Sequence, residues 1–297
     1  MRVSELLGHQ LASITDDVRA AVPRLDDGRD VEAVHDFRVA LRRLRSLLRP
    51  ARSVYGRFHT DAVRAALKRV ADATGTLRDE EVLEETLAAL PLSARAAVAR
   101  DAWIVRRAPR RRALRAALLR VVKSGGVTDA LRLMDALLAL PVRKGRDPDA
   151  ATFALDVVFA AERAVHANTE VHEHDVDGLH ALRILYKRLR YAVDGFEQAL
   201  SPEVLAIAPV AAKFQKRLGE VHDLDVAKVS IGRARSLDPS TRAELLAKIA
   251  ATRAACVVRY EAEKQRGATK PRAATPLDAP VKKVRAATPR RAQARSR

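Results

Sequence analysis

The chain has 297 residues, of which 48% are hydrophobic and only 4% aromatic, and its formal net charge is +18. The length supports one large domain or two small ones, each with a real core. A composition led by Ala, Leu, Val and Arg favours helix over strand, and the charge predicts polyanionic partners or membrane headgroups while saying nothing of fold. A single cysteine, Cys256, excludes an intrachain disulfide and reads as a small core residue. Residues Met1 to Val18 are interrupted by Glu5, Asp16 and Asp17, so they lack the apolar core of a signal peptide. No run of apolar residues approaches a membrane span. The expectation is a cytoplasmic protein that does not engage a membrane.

In chain order, residues 3–22 have helical spacing through Val3, Leu6, Leu7, Leu11, Ile14 and Val18, and a turn follows from Pro23. A second helix runs from about Val34 and is expected to stop near Pro50 to Gly56. A third covers 58–74 and ends at Gly75 as a C-cap, after which Asp79 caps a helix over 80–90 that stops at Pro91. Residues 92–123 are helical, with Pro109 kinking or dividing them, and from Arg106 to Lys123 they carry eight cations and no acid. Ser124-Gly125-Gly126 breaks this segment. Thr128 or Asp129 caps a helix over 130–140, which Pro141 ends. The second half repeats the outline: helices over 151–175 and 178–200, a start at Ser201-Pro202, a stop at Leu218-Gly219, and a last helix over roughly 240–262. From Lys264 on, Pro-interrupted sequence without apolar periodicity carries 11 Lys and Arg against one acid, Asp278. That composition predicts a disordered, generic polyanion-binding tail. The division is therefore a first helical bundle over 1–141, a linker over 142–150, a second bundle over 151–263 and a basic tail over 264–297.

Two stretches stand out. In Val34 to Arg49 the apolar residues Val34, Phe37, Leu41, Leu44 and Leu48 form one face of a helix. His35, Arg38, Arg42, Arg45 and Arg49 repeat that spacing one residue later, a second stripe turned by about 100°. Arg43 adds to it, and no acid lies between Asp36 and Asp61. Like charges three or four residues apart cost a helix roughly 0.2–0.5 kcal/mol per pair. An unrelieved column therefore implies compensation from elsewhere in the fold or from an anionic ligand. The pattern recurs in order as His180, Arg183, Lys187, Arg188 and Arg190, with no acid between Asp177 and Asp194. A second element also recurs: Gly75-Thr76-Leu77-Arg78-Asp79-Glu80-Glu81-Val82 matches Gly219-Glu220-Val221-His222-Asp223-Leu224-Asp225-Val226. Motif and glycine segment are nearly equally spaced in both halves, so the duplicated unit spans about 50 residues.

On those residues the chain resembles the CHAD family, the conserved histidine α-helical domain, over about residues 1–262. The carriers are His35-x-x-Arg38-x-x-x-Arg42-Arg43-Leu44-Arg45, Gly75-x-x-Arg78-Asp79-x-Glu81-Val82, and their second copies from His180 and Gly219. The departures are Glu81 where an Asp is usual and His222 where Asn or Arg is commoner. The resemblance implies an all-α fold of two pseudo-symmetric helical bundles with a basic channel between them. It also implies binding of inorganic polyphosphate and association with polyphosphate granules. Some relatives are fused to a triphosphate-tunnel catalytic domain, for which this chain offers neither room nor strand signal.

Inorganic polyphosphate has no bases to read, so recognition rests on charge and spacing. A column of five cations along a helix spans about 20 Å and can track several phosphates. Arginine suits the task because its planar fork donates two parallel hydrogen bonds to phosphate oxygens, and His35 or His180 donates more strongly once protonated. Lys68, Arg69, Lys213 and Lys216, on the helices before each glycine segment, are secondary candidates. No cofactor, catalytic residue or metal site is expected. The His35-Asp36 and His222-Asp223 dipeptides lack further ligands, and His172-Glu173-His174-Asp175 lacks the i, i+4 histidine spacing of a zinc site. The competing functions are a nucleic-acid-binding protein acting through the tail, and a polyphosphate- or triphosphate-processing enzyme.

Overall fold

The apolar stripes of the sequence are the faces this chain buries. In α1 (Val3–Arg24) the residues Val3, Leu6, Leu7, Leu11, Ile14 and Val18 are each at most 1% exposed. In α2 (Ala33–Tyr55) Val34, Phe37, Leu41, Leu44 and Leu48 are buried in the same way. The structure, a computed structural model, describes residues 1–268 apart from 28, 29, 31 and 143. After α2 come α3 (Arg57–Ala88), α4 (Ala94–Arg106), α5 (Ala108–Lys123), α6 (Gly126–Leu138) and a short 3-10 turn at Lys144–Arg146. The second half holds α7 (Ala150–His166), α8 (Val176–Gly195), a 3-10 turn at Glu197–Ala199, α9 (Pro202–Leu205), α10 (Ile207–Gly232) and α11 (Pro239–Ala268). Among the described residues there is no β-strand, only an isolated bridge between Arg2 and Asp149 that clasps the start of α1 to the start of α7.

Several boundaries differ from the sequence expectations. Gly75 and Gly219 do not end helices: α3 runs unbroken for 32 residues and α10 for 26, so Asp79 and Asp223 lie inside helices and cap nothing. Pro50 removes one backbone donor without stopping α2, which continues to Tyr55 and ends where Gly56 takes a φ of 88°. Pro109 does divide its segment, standing in the first turn of α5 after the break at Arg107. The α6 helix starts at Gly126, ahead of Thr128 and Asp129. The helix expected after Ser201 is two, with the break at Ala206. Residues 264–268, assigned to the tail, form the last turn of α11, and the remainder of that tail, 269–297, lies outside the described residues.

Two hydrophobic cores result. One gathers α1, α2, the first half of α3, α6 and the start of α7, with Phe196 inserted from after α8. The other gathers α8, α10 and α11 with Leu83 and Leu87 of α3, Trp103 of α4 and Val158 and Val165 of α7. Each half of the sequence thus lends residues to the other's core. Between the cores, α2 packs on α8 and α3 on α10. Each helix meets its own sequence counterpart, as a pseudo-twofold relating the halves requires. Cys256 is buried at 3% exposure in the second core.

Acids from α3 hold the basic segment α4–α5 in place. Glu80, 5% exposed, accepts from Arg107 (Nη2 at 2.8 Å) and from Arg110 (3.2 Å), and Glu84 pairs with Arg111. Arg115 donates to the carbonyls of Leu25 and Asp27, and Lys123 pairs with Asp26 at 2.9 Å. Arg100, 9% exposed, caps the C-terminus of α3 through the carbonyls of Leu87 and Ala88. Replacing Glu80 by Ala strips the partly buried Arg107 and the exposed Arg110 of their carboxylate. Urea unfolding of Glu80→Ala should show a loss of about 1–3 kcal/mol, below the cost of a fully buried pair because Arg107 and Arg110 still reach water.

Candidate functional site

The packing of α2 on α8 sets the two cation stripes against each other. Arg42, Arg45 and Arg49 of α2 and Lys187 and Arg188 of α8 line one cavity of about 650 Å³, joined by Arg64 of α3 and by Tyr191. Burial, together with the charges of Arg42, Arg183, Arg38 and Arg45, lowers the Lys187 pKa to about 8. Arg49 is likewise pulled down by burial and then by Arg188, Arg64 and Arg52. Among the described residues, no carboxylate stands within ion-pair distance of Arg38, Arg42, Arg45, Arg49, Arg183, Lys187 or Arg188. Arg42 lies 5.2 Å from the centroid of the Tyr191 ring, and its Nε is buried without a partner. The Tyr191 hydroxyl and the Arg183 Nε are buried and unpartnered too. Buried donors left unpaired are costly, so three groups at this junction are poised to donate.

A second cavity, of about 270 Å³, lies where the pseudo-twofold requires: α1, α2 and α8 enclose it as α7, α8 and α2 enclose the first. Arg42, Ser46, Leu47 and Tyr191 line both. The predicted residues Arg43 and Arg190 fall here, and both are compensated, Arg43 by Asp17 and Arg190 by Asp194, each at 3.3 Å. The equivalent cavities are therefore electrostatically unlike, and the larger one keeps the uncompensated cations.

The glycine segments have a role at this site that their sequence hides. Gly75 faces Arg38 and Gly219 faces Arg183, the matched arginines of the two stripes. A Cβ on Gly75 would lie 3.7 Å from Arg38 Nη1, and one on Gly219 would lie 3.5 Å from Arg183 Nε. A side chain larger than Ala would fill the space each guanidinium occupies. Burial lowers the Arg38 pKa and Asp79 partly opposes that, while burial raises the Asp223 carboxyl against the pull of Arg183 and Arg78. The matched aspartates thus stand near the arginine heads of the stripes, outside the larger cavity.

At the head of α8, His180 Nδ1 meets His222 Nδ1 at 3.0 Å with ring centroids 4.2 Å apart. Such a contact needs one ring to donate and the other to accept, so the two rings cannot both be protonated. Burial and then Arg183 depress both, His222 to about 4. His35, the counterpart of His180, is exposed. The secondary candidates line neither cavity: Lys68 pairs with Asp72 at 2.6 Å, Lys213 reaches Glu263 at 3.6 Å, and Arg69 and Lys216 are exposed. Sequence reasoning assigned no role to Arg64, Tyr191 or His222. Tyr191 follows Lys187 by four residues and so lies on the cationic stripe, a legible signal, whereas Arg64 beside Asp61 looks like an ordinary i, i+3 pair.

A duplicated all-helical protein whose matched basic helices face one cleft is the class that fold and site define. The chain belongs to the CHAD family: the profile described as CHAD domain matches residues 9–231. The crystal structure of the CHAD domain from the plant Ricinus communis is similar to it, with a TM-score of 0.72 and 21% identity, covering 91% of this chain and 93% of that one. PptA from Streptomyces chartreusis is also similar, with a TM-score of 0.68 and 17% identity over 91% of this chain and 100% of that one. At these identities the likeness is one of fold. No curated protein matches the chain.

The clearance at the two glycines carries its own test. Since the nearest atoms to a new Cβ are at ordinary contact distance, Gly75→Ala and Gly219→Ala should each raise stability by up to about 1 kcal/mol through helix propensity. Gly75→Leu and Gly219→Leu should lower it by expelling the guanidinium. Urea midpoints of the four variants decide this.

Proposed function

We propose that the chain binds inorganic polyphosphate, without turning it over, along the facing stripes of α2 and α8. What carries this reading is the set of five cations from two matched helices, Arg42, Arg45, Arg49, Lys187 and Arg188, that line one cavity with no carboxylate within ion-pair distance among the described residues. Arg42, Arg45, Arg49, Lys187 and Arg188 contact phosphates in the cleft, and Arg38 and Arg183 hold the ends beside His35 and His180. Arg43, Arg190, Lys68, Arg69, Lys213 and Lys216 lie outside the cleft and contribute a long-range field. The larger cavity is lined by no carboxylate or imidazole that could take a proton from an attacking water, which supports binding over hydrolysis. A protein of this kind would concentrate where polyphosphate does, at granules. Among the described residues no helix is long and apolar enough to cross a membrane.

Replacing Arg42, Arg45, Arg49 and Lys187 by Ala should weaken long-chain polyphosphate binding at least a hundredfold with helicity retained. Unchanged affinity overturns the reading. Affinity should fall with salt at a log–log slope of roughly −0.7 per phosphate neutralised, by analogy with single-stranded nucleic acid. Duplex DNA of equal charge should compete poorly, and whatever DNA binding exists should leave on deletion of residues 269–297. A DNA preference that survives this deletion favours a nucleic-acid function for the helical part.

Lys187 adds a pH signature. A bound polyanion raises its pKa above the free value of about 8, so binding takes up a proton on the alkaline side. Affinity should therefore decline as pH rises through about 8. In Lys187→Arg, titrated over pH 7–9, that decline should vanish.

A further inference from the structure

The larger cavity has a wall that inorganic polyphosphate cannot use. Besides the cations, the cavity is lined by Val157, Ala160, Ala161 and Ala164 of α7, Ile184 and Leu185 of α8, and Phe196. The one serine there, Ser46, commits its hydroxyl to the Arg42 carbonyl at 2.9 Å. Nothing on this wall can read the hydrogen-bonding edge of a base or a sugar. The counterpart cavity is different, since α1 places Gln10 where α7 places small aliphatic residues, and Asp194 and Glu197 line it as well. Only one of two cavities related by duplication therefore joins free cations to a smooth aliphatic face. Its volume, about 650 Å³, falls within the roughly 300–1,000 Å³ usual for small-molecule sites. Tyr191, 7% exposed and lining this cavity, has a buried hydroxyl with no partner, and Arg42 beside it has an unpartnered Nε.

We propose that this cavity takes the phosphate or diphosphate monoester of an aliphatic chain, with the phosphate on Arg42, Arg45, Arg49, Lys187 and Arg188 and the chain along α7. The site borrows the phosphate-binding cations of the polyphosphate reading and adds a second class of ligand to them. A nucleotide fits less well, because its base would lie against a wall that returns no hydrogen bond. The chain's own basic tail is repelled by the same cations.

The test is a chain-length series on the full chain: inorganic phosphate, then butyl, hexyl and octyl phosphate below their micellar concentrations, measured by titration calorimetry. Each added methylene that reaches the wall should tighten binding by about threefold to fourfold. Geranyl diphosphate should bind at least tenfold more tightly than inorganic diphosphate. Ala160→Gln and Ala164→Gln make the wall polar without changing its charge, and Ala160 is exposed, so folding is spared. In these variants the chain-length dependence should flatten while inorganic polyphosphate binds as before. A flat series in the unmodified protein overturns the proposal, as does a slope the two variants leave intact. Tighter binding of ATP than of geranyl diphosphate overturns the aliphatic assignment. A polyphosphate titration run in parallel separates the two readings: polyphosphate binding with a flat alkyl series removes this proposal alone, and an alkyl slope without polyphosphate binding removes the earlier one alone.

Discussion

Repulsion between two matched rows of cations is the constraint around which this molecule is arranged. On its own, the contact between α2 and α8 is unfavourable, since Lys187 faces Arg38, Arg42, Arg45 and Arg183 in a partly desolvated cleft. The helices stay together because each is the inner edge of a separate hydrophobic core. Leu41, Leu44 and Leu48 are locked into one, and Leu182, Tyr186 and Leu189 into the other. Phe196, just past α8, is inserted into the first core, and Leu83 and Leu87 of α3 into the second, so the two cannot drift apart without exposing apolar surface. The packing energy lies outside the cleft and the unrelieved charge inside it.

An acid-free run of cations does not mean one thing. The segment from Arg106 to Lys123 is as basic as α2, yet Arg107, Arg110 and Arg111 are met by Glu80 and Glu84 of α3, and Arg115 by the backbone carbonyls of Leu25 and Asp27. There the charge is structural, a way of fastening α5 to the rest of the fold. What separates the two cases in sequence is pairing. The α2 stripe has a copy in α8, whereas α5 has none. Duplication puts equivalent helices opposite each other, so a stripe that recurs is bound to meet itself, and like charge meets like. A stripe that does not recur meets whatever the fold supplies.

The helices and their buried faces were legible because a 3.6-residue period is a local property. Val34, Phe37, Leu41, Leu44 and Leu48 announce their face without reference to any partner. The cationic stripe was legible for the same reason, and its copy made it specific. Gly75 and Gly219 were misread as helix ends because local propensity cannot distinguish a glycine that stops a helix from one that makes room for a neighbour. The neighbour, Arg38 or Arg183, is remote in sequence. The α2 stop fell within the expected stretch from Pro50 to Gly56, at its far end, because packing of Ala51, Val54 and Tyr55 carries the helix one turn past Pro50. The exchange of core residues between the halves had no sequence signature, since an apolar residue does not say which core it joins.

Compensation settles which predicted cations belong together. Arg43, the counterpart of Arg188, has nothing in its own helix to mark it off from Arg42 and Arg45, whereas Arg190, the counterpart of Arg45, has Asp194 one turn on. In the fold one turns to Asp17 and the other to Asp194, and both leave the larger cleft. The duplication thus keeps the paired helices α2 and α8 and breaks in charge. With Gln10 facing one cavity and alanines facing the other, two sites related by symmetry have become one that neutralises itself and one that stays open to an anion. A symmetric pair would spread a polyanion over two half-sites of equal strength. The broken pair concentrates the unmet charge on one side of Arg42, and under the proposed function that imbalance is the place where a flexible anion would begin.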